Sequence, residues 1–149
     1  VKKGNFYSKV FLILIILMTF SSCQKDQKEI KYSDIAYFAE PVIQDFCAGF
    51  EKNDYKEFAY YFSLYFSKPI PSESLEQLLS RIGNTIGTYI PQSLSYKNVF
   101  RRKNNYTVIY TASFSLENKP VTITFNFEKT QNEFKLSSFN VDSPKLKNK

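Results

Sequence analysis

Tyr106-Thr107-Val108-Ile109-Tyr110-Thr111-Ala112-Ser113-Phe114-Ser115-Leu116 alternates with a period of two. Tyr106, Val108, Tyr110, Ala112, Phe114 and Leu116 point one way. Thr107, Thr111, Ser113 and Ser115 point the other way, together with Ile109. Successive strand side chains leave opposite faces of a sheet, so the run reads as a long strand with one packed and one wet face. The period continues on both sides. Upstream, Tyr96, Asn98 and Phe100 alternate with Lys97, Val99 and Arg101, and Lys103-Asn104-Asn105 supplies a hairpin turn. Downstream, Glu117-Asn118-Lys119-Pro120 turns the chain into Val121, Ile123, Phe125 and Phe127, which share a face against Thr122, Thr124, Asn126 and Glu128. Gln131-Asn132 turns once more, and Phe134 to Val141 forms the last strand. The expectation is a four-stranded antiparallel meander.

Before Ser93 the period is helical. Ile35, Phe38, Ala39, Val42, Phe46 and Phe50 recur at the spacing of one helix face, with Ser33 as the expected cap and an end near Lys52. Pro41 lies inside this helix and costs it one backbone hydrogen bond. Asp54 caps a second helix whose stripe is Tyr55, Phe58, Ala59, Phe62, Tyr65 and Phe66, broken by Lys68-Pro69-Ile70-Pro71. Ser74 to Gln77 reads as a capping box for a third helix, with Leu75, Leu78, Leu79, Ile82 and Ile86 inside and Gly87 as its stop. Three N-terminal helices packed on one face of a four-stranded antiparallel sheet make an α+β domain over residues 34–142. The lysine-rich tail, 143–149, is expected to be disordered.

Composition narrows the function. With 149 residues the chain holds one domain, and 15 Phe and 11 Tyr without any Trp must fill most of its core. The net charge of +6 is concentrated at the ends, at Lys2, Lys3 and Lys9 and at Lys145, Lys147 and Lys149. The domain between is close to neutral and shows no basic face for nucleic acid. Arg101-Arg102-Lys103 falls at a hairpin tip, where solvation explains it. Four glycines argue against a phosphate-cradling loop. Cys47 falls on the apolar helix face and reads as a small buried hydrophobe.

Residues 1–22 have the plan of a signal peptide. Lys2, Lys3 and Lys9 form a positive start, and Val10 to Phe20 is apolar apart from Thr19. At about 11 residues this run is too short for the ~20 needed to cross a ~30 Å hydrocarbon layer. Phe20-Ser21-Ser22-Cys23 resembles a bacterial lipobox, in which small residues before the cysteine let a lipoprotein signal peptidase approach the backbone; Phe20 stands where leucine is usual. The resemblance implies lipidation of Cys23, a polar tether over residues 23–33 and a stable membrane anchor. Gln24, rather than Asp, follows the anchor, which by resemblance to Gram-negative sorting rules favours the outer membrane of the cell envelope. The alternatives are an uncleaved anchor or an ordinary secretory signal.

Three segments carry a family likeness. Phe50-Glu51-Lys52-Asn53-Asp54-Tyr55-Lys56-Glu57-Phe58 resembles the corner between the first helices of NTF2-like domains, with Asn53 in place of the usual glycine. Tyr106 to Phe114 resembles their long central strand, and Phe134 to Val141 their closing strand. The likeness is closest to extracellular members of that superfamily found in bacterial lipoproteins. It implies a curved sheet wrapped around the long helix, with a cone-shaped cavity at its wide end.

Some NTF2-like proteins are isomerases or dehydratases, which need a base in the cavity and an acid to hold an oxyanion. Histidine is absent, so His-based metal sites and acyl-transfer triads are excluded, and no Asp or Glu cluster has ligand spacing. The inward strand positions carry no carboxylate, while Glu40 and Asp45 lie off the apolar stripe of the first helix and read as solvated. No catalytic residue, metal or cofactor is assigned. The candidate cavity residues are Tyr61, Tyr110, Phe114 and Phe125. The expected function is that of a lipid-anchored envelope lipoprotein acting as a non-catalytic binding module, for a small apolar ligand in the aromatic cavity or a protein partner on the open sheet face. The alternative is a small isomerase- or hydrolase-type enzyme with an unrecognised acid in the cavity. The sequence leaves the oligomeric state open.

Overall fold

The amphipathic stripe that begins at Ile35 builds the first helix, α1 (Ala36–Lys52), which buries Ala39, Val42, Ile43, Phe46, Cys47, Gly49 and Phe50. This is a computed structural model, and it describes residues 30–147. The expected signal peptide, Cys23 and the tether up to residue 29 lie outside the described residues. Helix α1 runs unbroken through Pro41, which sits on its exposed side, where water can satisfy the carbonyl the proline leaves unbonded. Ser33 is not the cap. It lies exposed in a 3-10 turn, Tyr32–Asp34, whose bonds Asp34 N–H to Lys31 O and Ile35 N–H to Tyr32 O, both 3.0 Å, lead directly into the helix.

Asn53 ends α1 in left-handed geometry at φ 58°, a conformation asparagine tolerates better than most residues. Asp54 then caps α2 (Tyr55–Ser63), its Oδ1 accepting from the Glu57 N–H at 3.4 Å. Helix α3 spans Ser72–Ile86 and ends at Gly87. It starts two residues before the expected capping box, because the Pro71 carbonyl already accepts from Leu75 N–H at 3.2 Å. Two glycines set the helix spacing. A Cβ on Gly49 of α1 would lie 2.3 Å from the Phe58 ring of α2, and one on Gly83 of α3 would lie 1.7 Å from the Tyr55 hydroxyl.

The strands are β1 (Ser95–Arg102), β2 (Asn105–Ala112), β3 (Val121–Lys129) and β4 (Phe134–Asp142), antiparallel in sequence order. Tyr106, Val108, Tyr110 and Ala112 of β2 and Val121, Ile123, Phe125 and Phe127 of β3 are buried, as the alternation requires. Two bulges break the pattern elsewhere. In β1 the register skips Lys97, so Val99 turns inward and Phe100 outward, 53% exposed, opposite to the simple alternation. In β4 it skips Ser137, which keeps Leu136, Phe139 and Val141 on the packed face. Leu116 is 50% exposed rather than inward, because the strand has ended and Glu117 N–H bonds back to Phe114 O at 3.1 Å.

Helix α1 lies across the inner face. The Phe46 ring meets Phe125 of β3 at 5.5 Å and Phe139 of β4 at 5.8 Å, while Phe38 stacks on Phe134 at 4.0 Å with 4° between planes. The segment after α2 covers part of the β4 edge, with Ser67 N–H donating to Leu136 O at 2.9 Å and Leu136 N–H to Tyr65 O at 2.8 Å. The expected disorder from Ser143 is corrected through Lys147. Ser143 is fully buried, its hydroxyl donates to Glu117 and accepts from Lys145 N–H, and it caps a short helix, α4 (Pro144–Lys147), whose Leu146 packs on the core.

The Tyr55 hydroxyl is buried against Gly83 without a hydrogen-bond partner among the described residues. Tyr55→Phe should therefore be neutral or stabilising by up to ~1 kcal/mol, and Gly83→Ala should cost ~1–3 kcal/mol or more by overpacking. Urea titrations check both. A loss above ~2 kcal/mol for Tyr55→Phe would mean that the hydroxyl is bonded after all.

Candidate functional site

Tyr110 occupies an inward position at the centre of β2 and is 1% exposed. A phenol buried so deeply needs a partner for its hydroxyl. That partner is Tyr32, whose hydroxyl lies 3.4 Å away, with either able to donate. Tyr32 arrives from the 3-10 turn before α1, outside the sheet altogether. Tyr96 of β1 stands directly opposite Tyr110 in the ladder and completes the group. Its ring lies 4.3 Å from that of Tyr32, and the Tyr96–Tyr110 and Tyr32–Tyr110 pairs meet edge to face at 6.0 Å and 6.4 Å.

Glu40 approaches the cluster from α1 and is partly buried. Burial is the main cause that raises the Tyr110 pKa, reinforced by the bond to Tyr32 and by the negative charge of Glu40. Burial also raises Tyr32, opposed by its hydrogen bond to Tyr110 and reinforced by Glu40. Tyr96 is raised by burial. All three phenols thus keep their protons at neutral pH. They can donate to and accept from a polar group, but they are not bases.

The sequence-predicted cavity does not come together as expected. Tyr110 belongs to the cluster just described. Phe125 is fully buried and packs on Phe46 and Phe127, and Phe114, also fully buried, packs on Phe50 and Tyr89. Both rings fill the core rather than line a space. Tyr61 is 55% exposed and rests beside Tyr60, because the inward face of α2 is Tyr55, Phe58, Ala59 and Phe62. Sequence reasoning missed Tyr32, which it left in the tether, and Glu40, which it left in solvent. Ile30 and Tyr32, two apolar-bodied residues in a mostly polar and charged segment, were the signal of the former.

Tyr61 lines a different concavity of about 160 Å³ between α1 and α2, with Asp45, Lys52, Glu57 and Phe62. Asp45 on its wall accepts from the Tyr65 hydroxyl at 2.5 Å, and burial followed by that carboxylate pushes the Tyr65 pKa to about 12. On the outer sheet face Thr107 donates to Asn126 at 2.8 Å and Asn126 to Ser138 at 2.9 Å, a polar ladder whose groups satisfy one another. Cys47 is buried, its thiol pushed up to about 12 chiefly by burial, so it stays protonated and inert. Among the described residues no group of three or more His, Cys, Asp or Glu is arranged to hold a metal, and no helix is long and apolar enough to cross a membrane.

No protein-family model and no curated protein matches the chain. Solved structures do. An NTF2-like potential transfer protein, TraM, from the Gram-positive conjugative plasmid pIP501 is 19% identical, with a TM-score of 0.52, over 76% of this chain and 96% of that one. An NTF2-like protein of unknown function from Shewanella baltica is 11% identical, with a TM-score of 0.48, over 76% of this chain and 98% of that one. The chain has the NTF2-like fold.

The raised phenols make stability fall at alkaline pH. A phenol whose folded pKa lies above its unfolded value of 10.0 binds its proton more tightly when folded, so its contribution is complete below pH 10 and is lost as pH rises through the folded pKa. Tyr110→Phe removes one such group and should flatten this loss. Urea unfolding from pH 8 to 11 measures it. An unchanged slope in the variant would show that Tyr110 titrates normally.

Proposed function

We propose that this NTF2-like domain is a non-catalytic binding module of the bacterial cell envelope, held to a membrane by lipid on Cys23 and binding its ligand at the Tyr32, Tyr96 and Tyr110 end. The observation that carries this reading is the composition of that end. Three protonated hydroxyls and their rings converge between α1 and the sheet, groups that can stack on and hydrogen-bond a ligand once Tyr32 gives up its place. The buried residues described include no Asp or Glu, the group an isomerase-type site would require. The filled aromatic core argues against a large apolar cavity deeper in the fold and turns attention to this end. The charge distribution, the apolar run and the Ser21-Ser22-Cys23 junction support the anchor, and Gln24 supports the outer membrane.

One observation favours the alternative of a small isomerase- or hydrolase-type enzyme: Glu40 is a partly buried carboxylate whose charge acts on Tyr32 and Tyr110. Such an enzyme would convert its substrate and lose that turnover in Glu40→Gln, whereas a binding module would release its ligand chemically unchanged.

Two experiments test the reading. Cys23→Ala should release the domain into the soluble fraction with its circular dichroism unchanged; retention in carbonate-washed membranes would favour an uncleaved apolar anchor. Native mass spectrometry of the lipoprotein extracted from its own membranes should reveal a bound small molecule of defined mass. An empty domain that co-purifies with a stoichiometric protein would move the function to the sheet face.

A further inference from the structure

We propose that Tyr32 is a built-in occupant of a phenol-binding site formed by Glu40, Tyr96 and Tyr110, and that a ligand carrying a phenol ring takes the site by displacing the turn Tyr32–Asp34. The inference rests on the tyrosine end being the working end of the domain. It adds the ligand class and a mode of control.

Tyr32 is held as a ligand would be held. Its ring lies 4.3 Å from that of Tyr96, its hydroxyl meets that of Tyr110 at 3.4 Å, and the negative charge of Glu40 acts on both phenols. The groups around it suit a phenol specifically: an aromatic ring to stack on, a buried hydroxyl able to donate or accept, and a carboxylate able to accept from a hydroxyl.

The turn that delivers Tyr32 has few backbone bonds of its own, while Ile30 before it and Ile35 after it pack on the core. None of its residues is buried, and its backbone bonds are local, from Asp34 to Lys31 and from Ile35 to Tyr32. The Tyr32 side chain supplies its ring and hydroxyl contacts to the sheet, and a separation of 3.4 Å is long for a hydroxyl–hydroxyl bond. What the turn covers is the opposite: Tyr110 is 1% exposed, and without Tyr32 its hydroxyl requires another partner. A displaced Tyr32 therefore leaves behind a preformed site of its own shape. Because the competitor is part of the same chain, apparent affinity falls with the fraction of open turn: a turn open one part in a hundred weakens binding about a hundredfold. The same turn lies between the domain and Cys23, so anything that orders or pulls the tether changes that fraction.

The test uses the full chain in detergent, titrated with p-cresol and with N-acetyl-tyrosinamide and followed by NMR. Tyr32→Ala should bind p-cresol at least tenfold more tightly than the wild type, and adding Tyr110→Phe should remove most of the gain. If the amide binds as well as p-cresol, the phenol comes from a partner's tyrosine; if p-cresol alone binds, it comes from a small molecule. Equal affinity in the wild type and in folded Tyr32→Ala, or no binding to the latter, overturns the proposal. Should Tyr32→Ala fail to fold, amide exchange in the wild type decides: Asp34 and Ile35 must exchange faster than Val108 and Phe125. Equal protection means that the turn opens only when the whole domain unfolds, and the proposal fails. A non-phenolic molecule found at the tyrosine end of the native protein would sink this inference while leaving the binding reading intact.

Discussion

The structure depends on one ring. Phe46, near the middle of α1, lies within 6 Å of Phe50, Phe58, Phe62, Phe125 and Phe139, so one side chain ties the long helix to α2 and to two strands. Aromatic pairs at these separations prefer tilted and edge-on arrangements, and every contact of Phe46 is of that kind. With α1 fixed by this cluster, its N-terminal end and the preceding turn are brought over Tyr96 and Tyr110. The position of the tyrosine group is thus a consequence of packing elsewhere in the molecule.

The close approaches of the helices serve the same end. Gly49 lets Phe58 lie against α1, and Gly83 lets Tyr55 lie against α3, so the three helices draw together around rings too large for an ordinary helix spacing. The cost at the second contact is a buried hydroxyl without a partner, a small price relative to the area a tyrosine ring buries. The sheet adapts through its two bulges, which bend β1 and β4 and re-aim Val99, Leu136 and Phe139 onto the core.

These features explain which parts could be read in the sequence. The alternation of β2 and β3 reads directly, because both strands are central and unbulged over their inward residues, and Asn53, Asp54 and Gly87 mark real helix boundaries. The reversal of Val99 and Phe100 does not, because a bulge is set by the pairing of two strands and leaves no period in either alone. Ser74 has the right chemistry for a cap but lies beyond the true cap position at Pro71, whose carbonyl opens the helix first. Tyr61 differs from its inward neighbour Phe62 by one position on a helix, enough to exchange core for solvent. At the tyrosine end only Tyr110 was legible. Tyr32 is separated from it by 78 positions, and a contact of that range has no local signature.

The central claim is that the segment before α1 inserts an aromatic side chain beside Tyr96 and Tyr110. Nuclear Overhauser spectroscopy on the protein with selectively labelled tyrosine rings measures this directly. The account predicts strong cross-peaks between the rings of Tyr32 and Tyr96, whose centroids are 4.3 Å apart, and weaker ones from Tyr32 to Tyr110. A spectrum in which Tyr96 and Tyr110 see each other but neither sees Tyr32 would contradict it.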